Sequence, residues 1–202
     1  MEVTLITKDM YRVRDFFTVD EVSMIMDEFA EYRPSVEKKE KSNNIIDYFE
    51  SLEKGPGELG DNMALIRPSV KIGLGIKKIV KTEHPINLIR VNTNIMHPGQ
   101  NSDFHRDAPK MECGGMEYSW TFLLFASPYW DTHWGGEFCM QDELGDYHYC
   151  AYIPGDCVLF RGCRTHKGNG PITTAGTVRH SVAWTYSAYG ILDETYTSID
   201  NI

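Results

Sequence analysis

Apolar positions along this chain follow two periods, and the change falls at about residue 86. Before it the helical period dominates. Val22, Ile25, Met26 and Phe29 recur at helical intervals, and Thr18-Val19-Asp20-Glu21 ahead of them has the spacing of a capping box. A second helix is expected over Asn44 to Leu52, broken by Gly55-Pro56-Gly57. Val70, Leu74, Ile76, Ile79 and Val80 predict a third over residues 69 to 80, against the helix-weakening Gly73 and Gly75.

After residue 86 the pattern becomes that of strands. Ile86 to Met96 alternates, with Ile89, Val91, Thr93 and Ile95 on one face and Arg90, Asn92, Asn94 and Met96 on the other. Met116 to Phe125 is aromatic and β-branched. Phe138 to Gln141 and Tyr147 to Ile153 flank a turn at residues 142 to 146, which reads as a hairpin. Cys157 to Phe160 follows the turn Pro154-Gly155-Asp156, and Val178 to Tyr186 is the last clear strand. Short strands at this spacing predict a sandwich, barrel or jelly roll. The expected class is α+β, mainly β: one domain over residues 1 to 202, with a helical part at about 1–85 buttressing a β core at about 86–190.

Composition narrows the class. The chain has 202 residues, 42% hydrophobic and 24% charged, as in a soluble globular protein. No apolar run approaches the ~18 residues of a membrane span. Met1 to Met10 lacks the apolar core of a secretory signal. The five cysteines (113, 139, 150, 157, 163) are odd in number and form no C-x-x-C pair, so reduced thiols and a cytoplasmic location are expected (the host cytoplasm for a viral source). The net charge of -9 weighs against a nucleic-acid partner. Lys77, Lys78 and Lys81 read as a solvated helix face.

Candidate chemistry lies in the β part. His105 and Asp107 are two apart, so an extended backbone turns both to one face. With His166 they would make two histidines and one carboxylate, the set that holds non-haem Fe(II) and keeps positions open. On physics alone His133 and His180 stay open as alternatives, although alternation turns His180 away from the Arg179 face. Arg179 shares its strand face with Ser181, Ala183 and Thr185. Its guanidinium could hold a dicarboxylate, or pair with one of the 29 acidic side chains.

These residues resemble the Fe(II)/2-oxoglutarate-dependent dioxygenases, most closely the prolyl-hydroxylase-like branch. The carrying residues are His105-Arg106-Asp107, Trp134-Gly135-Gly136-Glu137-Phe138, Pro154-Gly155-Asp156 with Val158-Leu159-Phe160, His166, and Arg179 to Trp184, in the family's order. The resemblance covers roughly residues 88 to 187. It implies a double-stranded β-helix, a cupin-like jelly roll. It implies iron on His105, Asp107 and His166, and 2-oxoglutarate on Arg179 with help from Ser181. Asn94 matches an Asn that contacts the cosubstrate in the AlkB-type branch. The Trp134–Glu137 segment is expected to shape a turn. Where prolyl hydroxylases often place a Tyr near the cosubstrate, this chain has Met96 and Phe125.

The implied activity is hydroxylation with O2, releasing succinate and CO2, with ascorbate as a candidate supporting reductant. Asp107 favours hydroxylation because halogenating relatives lack this carboxylate. The substrate class spans peptidyl proline, a free amino acid or another small metabolite. The alternatives are an AlkB-like nucleic-acid demethylase and a cupin-type metal protein without oxygenase activity. Residues 108–115 and 128–134 are candidates for the site entrance, although Tyr129, Trp130 and Trp134 read better as core.

Overall fold

A computed structural model describes residues 1–31, 45–47, 63–107 and 117–189. The chain opens with an antiparallel hairpin, β1 (Glu2–Thr7) and β2 (Met10–Arg14), where helical signals had been expected to dominate. The division at residue 86 is therefore corrected: β2 pairs with β8 (Cys157–Arg161), so the first residues belong to the main sheet. Two short, half-exposed strands carry too little periodicity to stand out, and the edge of β8 decides their state.

Helix α1 (Val19–Glu31) begins as the capping box requires. Thr18 N donates to Glu21 Oε2 at 2.7 Å, and Glu21 N donates to Thr18 Oγ1 at 3.2 Å. The helix expected over Asn44 to Leu52 is corrected where it is described. Ile45–Asp47 is a strand, β3, paired to the edge of β4 (Ile86–Met96), and the rest lies outside the described residues. Helix α2 (Met63–Val80) contains the expected 69–80 segment. Gly75 has a packing role there. A Cβ on it would stand 2.7 Å from Phe16 Cε2, so only glycine lets that ring lie on the helix.

The other strands are β5 (Glu117–Phe125), β6 (Phe138–Gln141), β7 (Tyr147–Cys150), β9 (His166–Gly168) and β10 (Arg179–Tyr189). Among the described residues they form a seven-stranded sheet, β1-β2-β8-β5-β10-β4-β3, and a three-stranded sheet, β7-β6-β9. Alternation sorts the side chains into two clusters. Phe122, Leu124, Leu159, Val182 and Trp184 face outward onto Phe16, Phe17, Ile25, Ile72 and Ile76. Leu123, Phe125, Val158, Phe160 and Ala183 face inward onto Phe138, Met140 and Tyr152. Each such large side chain, fully buried, contributes roughly 1.5–3 kcal/mol. Both faces of the large sheet are thus covered, and its inner face is left to meet the small sheet around a cavity.

Cys139, Cys150 and Cys157 are free and buried. Cys163 is disulfide-bonded, which corrects the expectation of reduced thiols throughout. No described helix is long and apolar enough to cross a membrane.

Candidate metal centre and its pocket

The two histidines of the candidate set are direct cross-strand neighbours. Beyond β4 the chain runs extended beside β9, and His105 and His166 exchange both backbone hydrogen bonds at 2.9 Å. Their ligand atoms and those of Asp107 all lie within 4.8 Å of one another. Asp107 Oδ1 is 3.8 Å from His105 Nε2 and 3.6 Å from His166 Nε2.

Each ring is oriented by a backbone carbonyl. His105 Nδ1 donates to Asp103 O and His166 Nδ1 donates to Arg164 O, both at 2.8 Å. A carbonyl only accepts, so the proton sits on Nδ1 and the Nε2 lone pair faces the centre of the set. Phe160 packs on the His166 ring at 4.5 Å and holds its plane. On the carboxylate, Thr121 Oγ1 donates to Oδ2 at 2.6 Å and Arg90 Nη2 donates to Oδ1 at 3.2 Å. Burial raises the Asp107 pKa, but His166, Arg90 and Thr121 outweigh it and hold the carboxyl well below the usual range. The set therefore offers two imidazole nitrogens and one carboxylate oxygen, a donor set that fits Fe(II) with room for further ligands. His133 and His180 are not part of it: His133 pairs with Asp131 on the surface, and His180 lies on the other face of β10.

The set lies in a cavity of about 250 Å³ between the two sheets. Its large-sheet wall is a ladder read directly from register: Arg179 opposite Met96, Ser181 opposite Asn94, Ala183 opposite Asn92, Thr185 opposite Arg90. The polar face expected for β4 thus faces the cavity. Arg179 is 1% exposed. Its Nε donates to Gly136 O at 2.9 Å and its Nη1 donates to Ser181 Oγ at 3.1 Å. Its Nη2 is buried with no partner among the described residues. Desolvation lowers the guanidinium pKa, partly countered by Tyr152 and Glu137, but an arginine stays charged.

The Trp134–Glu137 segment has the structural part expected of it. Gly136 (φ +84°) turns its carbonyl onto Arg179, and a Cβ there would stand 2.7 Å from Trp130 Cζ2. Ser181 holds the guanidinium and keeps its own hydroxyl proton free to donate. Asn94 lies on the cavity wall. Met96 Sδ is 3.9 Å from Arg179 Nη1, and the Phe125 ring is 5.7 Å from its Cζ, so the two departures from the family pattern both flank this arginine. Trp130 is buried, as expected for core, whereas Tyr129 is exposed; residues 108–115 lie outside the described residues.

Sequence reasoning did not single out Thr121, Arg90 or Asn92 for roles. Arg90 and Asn92 carried a usable signal, since alternation put them on the face of Asn94. Thr121 carried none.

No protein-family model and no curated protein matches this chain. Solved structures do. A Pseudomonas putida prolyl-4-hydroxylase is similar at 17% identity and TM-score 0.61, over 90% of this chain and 94% of that one. A Trichoplax adhaerens prolyl hydroxylase in complex with a hypoxia-inducible-factor peptide fragment gives 14%, 0.62, 89% and 84%. The viral collagen prolyl hydroxylase of Paramecium Bursaria Chlorella virus-1, in its 2-oxoglutarate complex, gives 11%, 0.62, 90% and 96%. The likeness extends over nearly the whole chain and is one of fold: the chain has the double-stranded β-helix fold of the prolyl hydroxylases among the 2-oxoglutarate oxygenases.

Proposed function

We propose that this protein is a non-haem Fe(II) oxygenase that uses 2-oxoglutarate and O2 to hydroxylate a small molecule or peptide, with succinate and CO2 as co-products. One observation carries this beyond a generic metal site. Arg179 is fully buried on the cavity wall, and its Nη2 lacks a partner. An unpaired buried charge is costly, and a carboxylate arriving from the cavity would relieve that cost. A metal protein with no dicarboxylate ligand has no use for such a group. The 2-oxoglutarate complex of the viral neighbour supports the same reading.

In this reading residues 1–202 act as one oxygenase domain. His105, Asp107 and His166 hold the iron, and their carbonyl and hydroxyl partners keep the three donor atoms converged. Arg179 receives the distal carboxylate of 2-oxoglutarate, Ser181 adds a hydrogen bond, and Asn94 flanks the cosubstrate. Bound there, the iron would supply activation of O2 coupled to decarboxylation of the cosubstrate. Phe138, Phe160 and Leu123 line the cavity and exclude water from it. The peptide bound by the Trichoplax neighbour makes a peptide one candidate substrate class.

The test is anaerobic binding of Fe(II) and then 2-oxoglutarate, followed by succinate release in air, with ascorbate, across a substrate panel read by mass spectrometry for an added oxygen. Failure of the metal-loaded protein to bind 2-oxoglutarate would overturn the assignment.

A further inference from the structure

The cavity is far more basic than the protein. The chain carries a net charge of -9. Yet among the described residues the cavity is lined by three arginines, Arg90, Arg106 and Arg179, and one acidic side chain, Asp107. A divalent metal adds to that positive excess, and a 2-oxoglutarate dianion offsets only part of it. Positive charge in a half-enclosed site draws in a second anion.

Arg90 is the group placed to receive it. Register puts Arg90 and Arg179 at opposite ends of the same wall, six residues apart on β10 when counted through Thr185, which is roughly 20 Å of strand. A cosubstrate whose distal carboxylate sits on Arg179 is therefore anchored at the end of the wall away from Arg90. Arg90 Nη2 reaches Asp107 Oδ1 at 3.2 Å, and its Nε reaches Thr185 Oγ1 at 3.4 Å. The Arg90 side chain is 36% exposed, so a ligand can reach it. The bond to Asp107 does not use Arg90 up. Asp107 Oδ1 is the oxygen nearest both histidine Nε2 atoms, so a metal held there would share that oxygen with Arg90 and weaken its hold on the guanidinium.

The next residue on this face adds a second contact. Asn92 is 7% exposed, and its Oδ1 is buried without a partner while the residue lines the cavity. A buried acceptor left unpaired costs free energy that an arriving N–H recovers. An anion site and an adjoining acceptor, two residues apart on one strand face, suit a ligand that carries a carboxylate beside an N–H donor. The cavity, at about 250 Å³, must also hold 2-oxoglutarate. That is below the roughly 300–1,000 Å³ of ordinary small-molecule sites. It suits a ligand of amino-acid size, and a neutral mid-chain peptide residue offers no counter-charge to Arg90.

We infer that the substrate is a free α-amino acid, its carboxylate held by Arg90 and its ammonium group by Asn92 Oδ1. The inference rests on the oxygenase reading above.

Calorimetric titration of the Mn(II)-loaded, 2-oxoglutarate-bound protein tests it without turnover. The probes are free L-amino acids and their matched carboxamides. At least one amino acid should bind, and its carboxamide about ten- to a hundredfold more weakly, as for loss of a charge-assisted hydrogen bond. With metal and 2-oxoglutarate saturating, Arg90→Gln should weaken that amino acid by a similar factor, with Arg90→Lys between the two. Wild-type near-ultraviolet circular dichroism in each variant would separate this from misfolding. Three results overturn the inference: carboxamides binding as well as the acids, no free amino acid binding at millimolar concentration, or Arg90→Gln leaving amino-acid affinity unchanged. Absence of 2-oxoglutarate binding in the wild type sinks the oxygenase reading as well, so the two failures are distinguishable.

Discussion

Asp9 and Arg164, 155 residues apart, form a buried ion pair in which Arg164 Nε donates to Asp9 Oδ2 at 2.6 Å. Arg161 Nε lies 3.1 Å from the other carboxylate oxygen, and Arg161 N donates to Asp9 O at 3.0 Å. The turn of the first hairpin thus clamps residues 161–164. That clamped segment in turn sets two candidate metal ligands: Gly162 O accepts from Asp107 N at 2.9 Å, and Arg164 O accepts from His166 Nδ1.

Replacing Asp9 should therefore disturb the metal centre from outside it. Asp9→Ala leaves Arg161 without this carboxylate and Arg164 with only the longer contact to Glu143, and should cost about 3 kcal/mol of stability. Asp9→Asn keeps one acceptor and should stay folded. Its metal affinity should nevertheless fall about tenfold or more, as for groups that orient metal ligands. Metal titration at a temperature where circular dichroism shows the variant folded checks this. Unchanged affinity would mean the clamp holds only the fold.

His105→Ala and Asp107→Ala should each abolish Fe(II) binding and, with it, metal-dependent binding of 2-oxoglutarate. Arg179→Met should leave metal binding intact and weaken 2-oxoglutarate about ten- to a hundredfold. Because the metal binds the folded state, removing it with a chelator should lower the melting temperature of the wild type. At a free metal concentration of about 100 times Kd the loss is about 2.7 kcal/mol. Neither ligand variant should show that shift.

Acid should expose the contribution of Glu21. Burial raises its pKa, but Lys71 Nζ, 2.8 Å from both carboxylate oxygens, and the Thr18 cap outweigh it and hold the carboxyl below its ordinary value. A depressed folded value means the stabilisation is fully present above the unfolded pKa of about 4.3 and is lost as pH falls through the folded one. Glu21→Gln should thus be less stable than wild type at neutral pH, with the gap closing below about pH 4. Denaturant midpoints measured across that range decide it.

The two glycines of α2 should respond with opposite sign. A Cβ at Gly73 meets only Tyr186 Cε1, at 3.6 Å, so Gly73→Ala should gain up to about 1 kcal/mol of helix propensity. At Gly75 the same Cβ would stand 2.7 Å from the Phe16 ring, and overpacking of about 1–3 kcal/mol outweighs that gain. Urea unfolding of the two variants gives the comparison.

The strands after residue 86 were legible because alternation is strict where one face must be apolar and the other lines a cavity, as in Ile86–Met96 and Val178–Tyr186. Gly73 and Gly75 misled in the helical part, since propensity is local and Phe16 is not. The hairpin at residues 2–14 and the strand at Ile45–Asp47 were not legible. Each is short and takes its state from a distant strand edge. In the site, residue types at telling intervals made His105, Asp107, His166 and Arg179 candidates. Thr121 and the carbonyls of Asp103 and Arg164 could not be found, because any residue has a carbonyl and threonines are common in strands.

The sequence by itself determined a mainly β core, the two-residue spacing that turns His105 and Asp107 to one face, and the shared face of Arg179, Ser181, Asn92 and Asn94 on their own strands. These follow from backbone period, which is local. Only the tertiary structure decided that His166 stands opposite His105, that Arg179 is buried with one nitrogen unpaired, and that Arg90 closes the far end of the same wall. Those relationships depend on which strands pair and in what register, and that is set by packing between segments far apart in the chain.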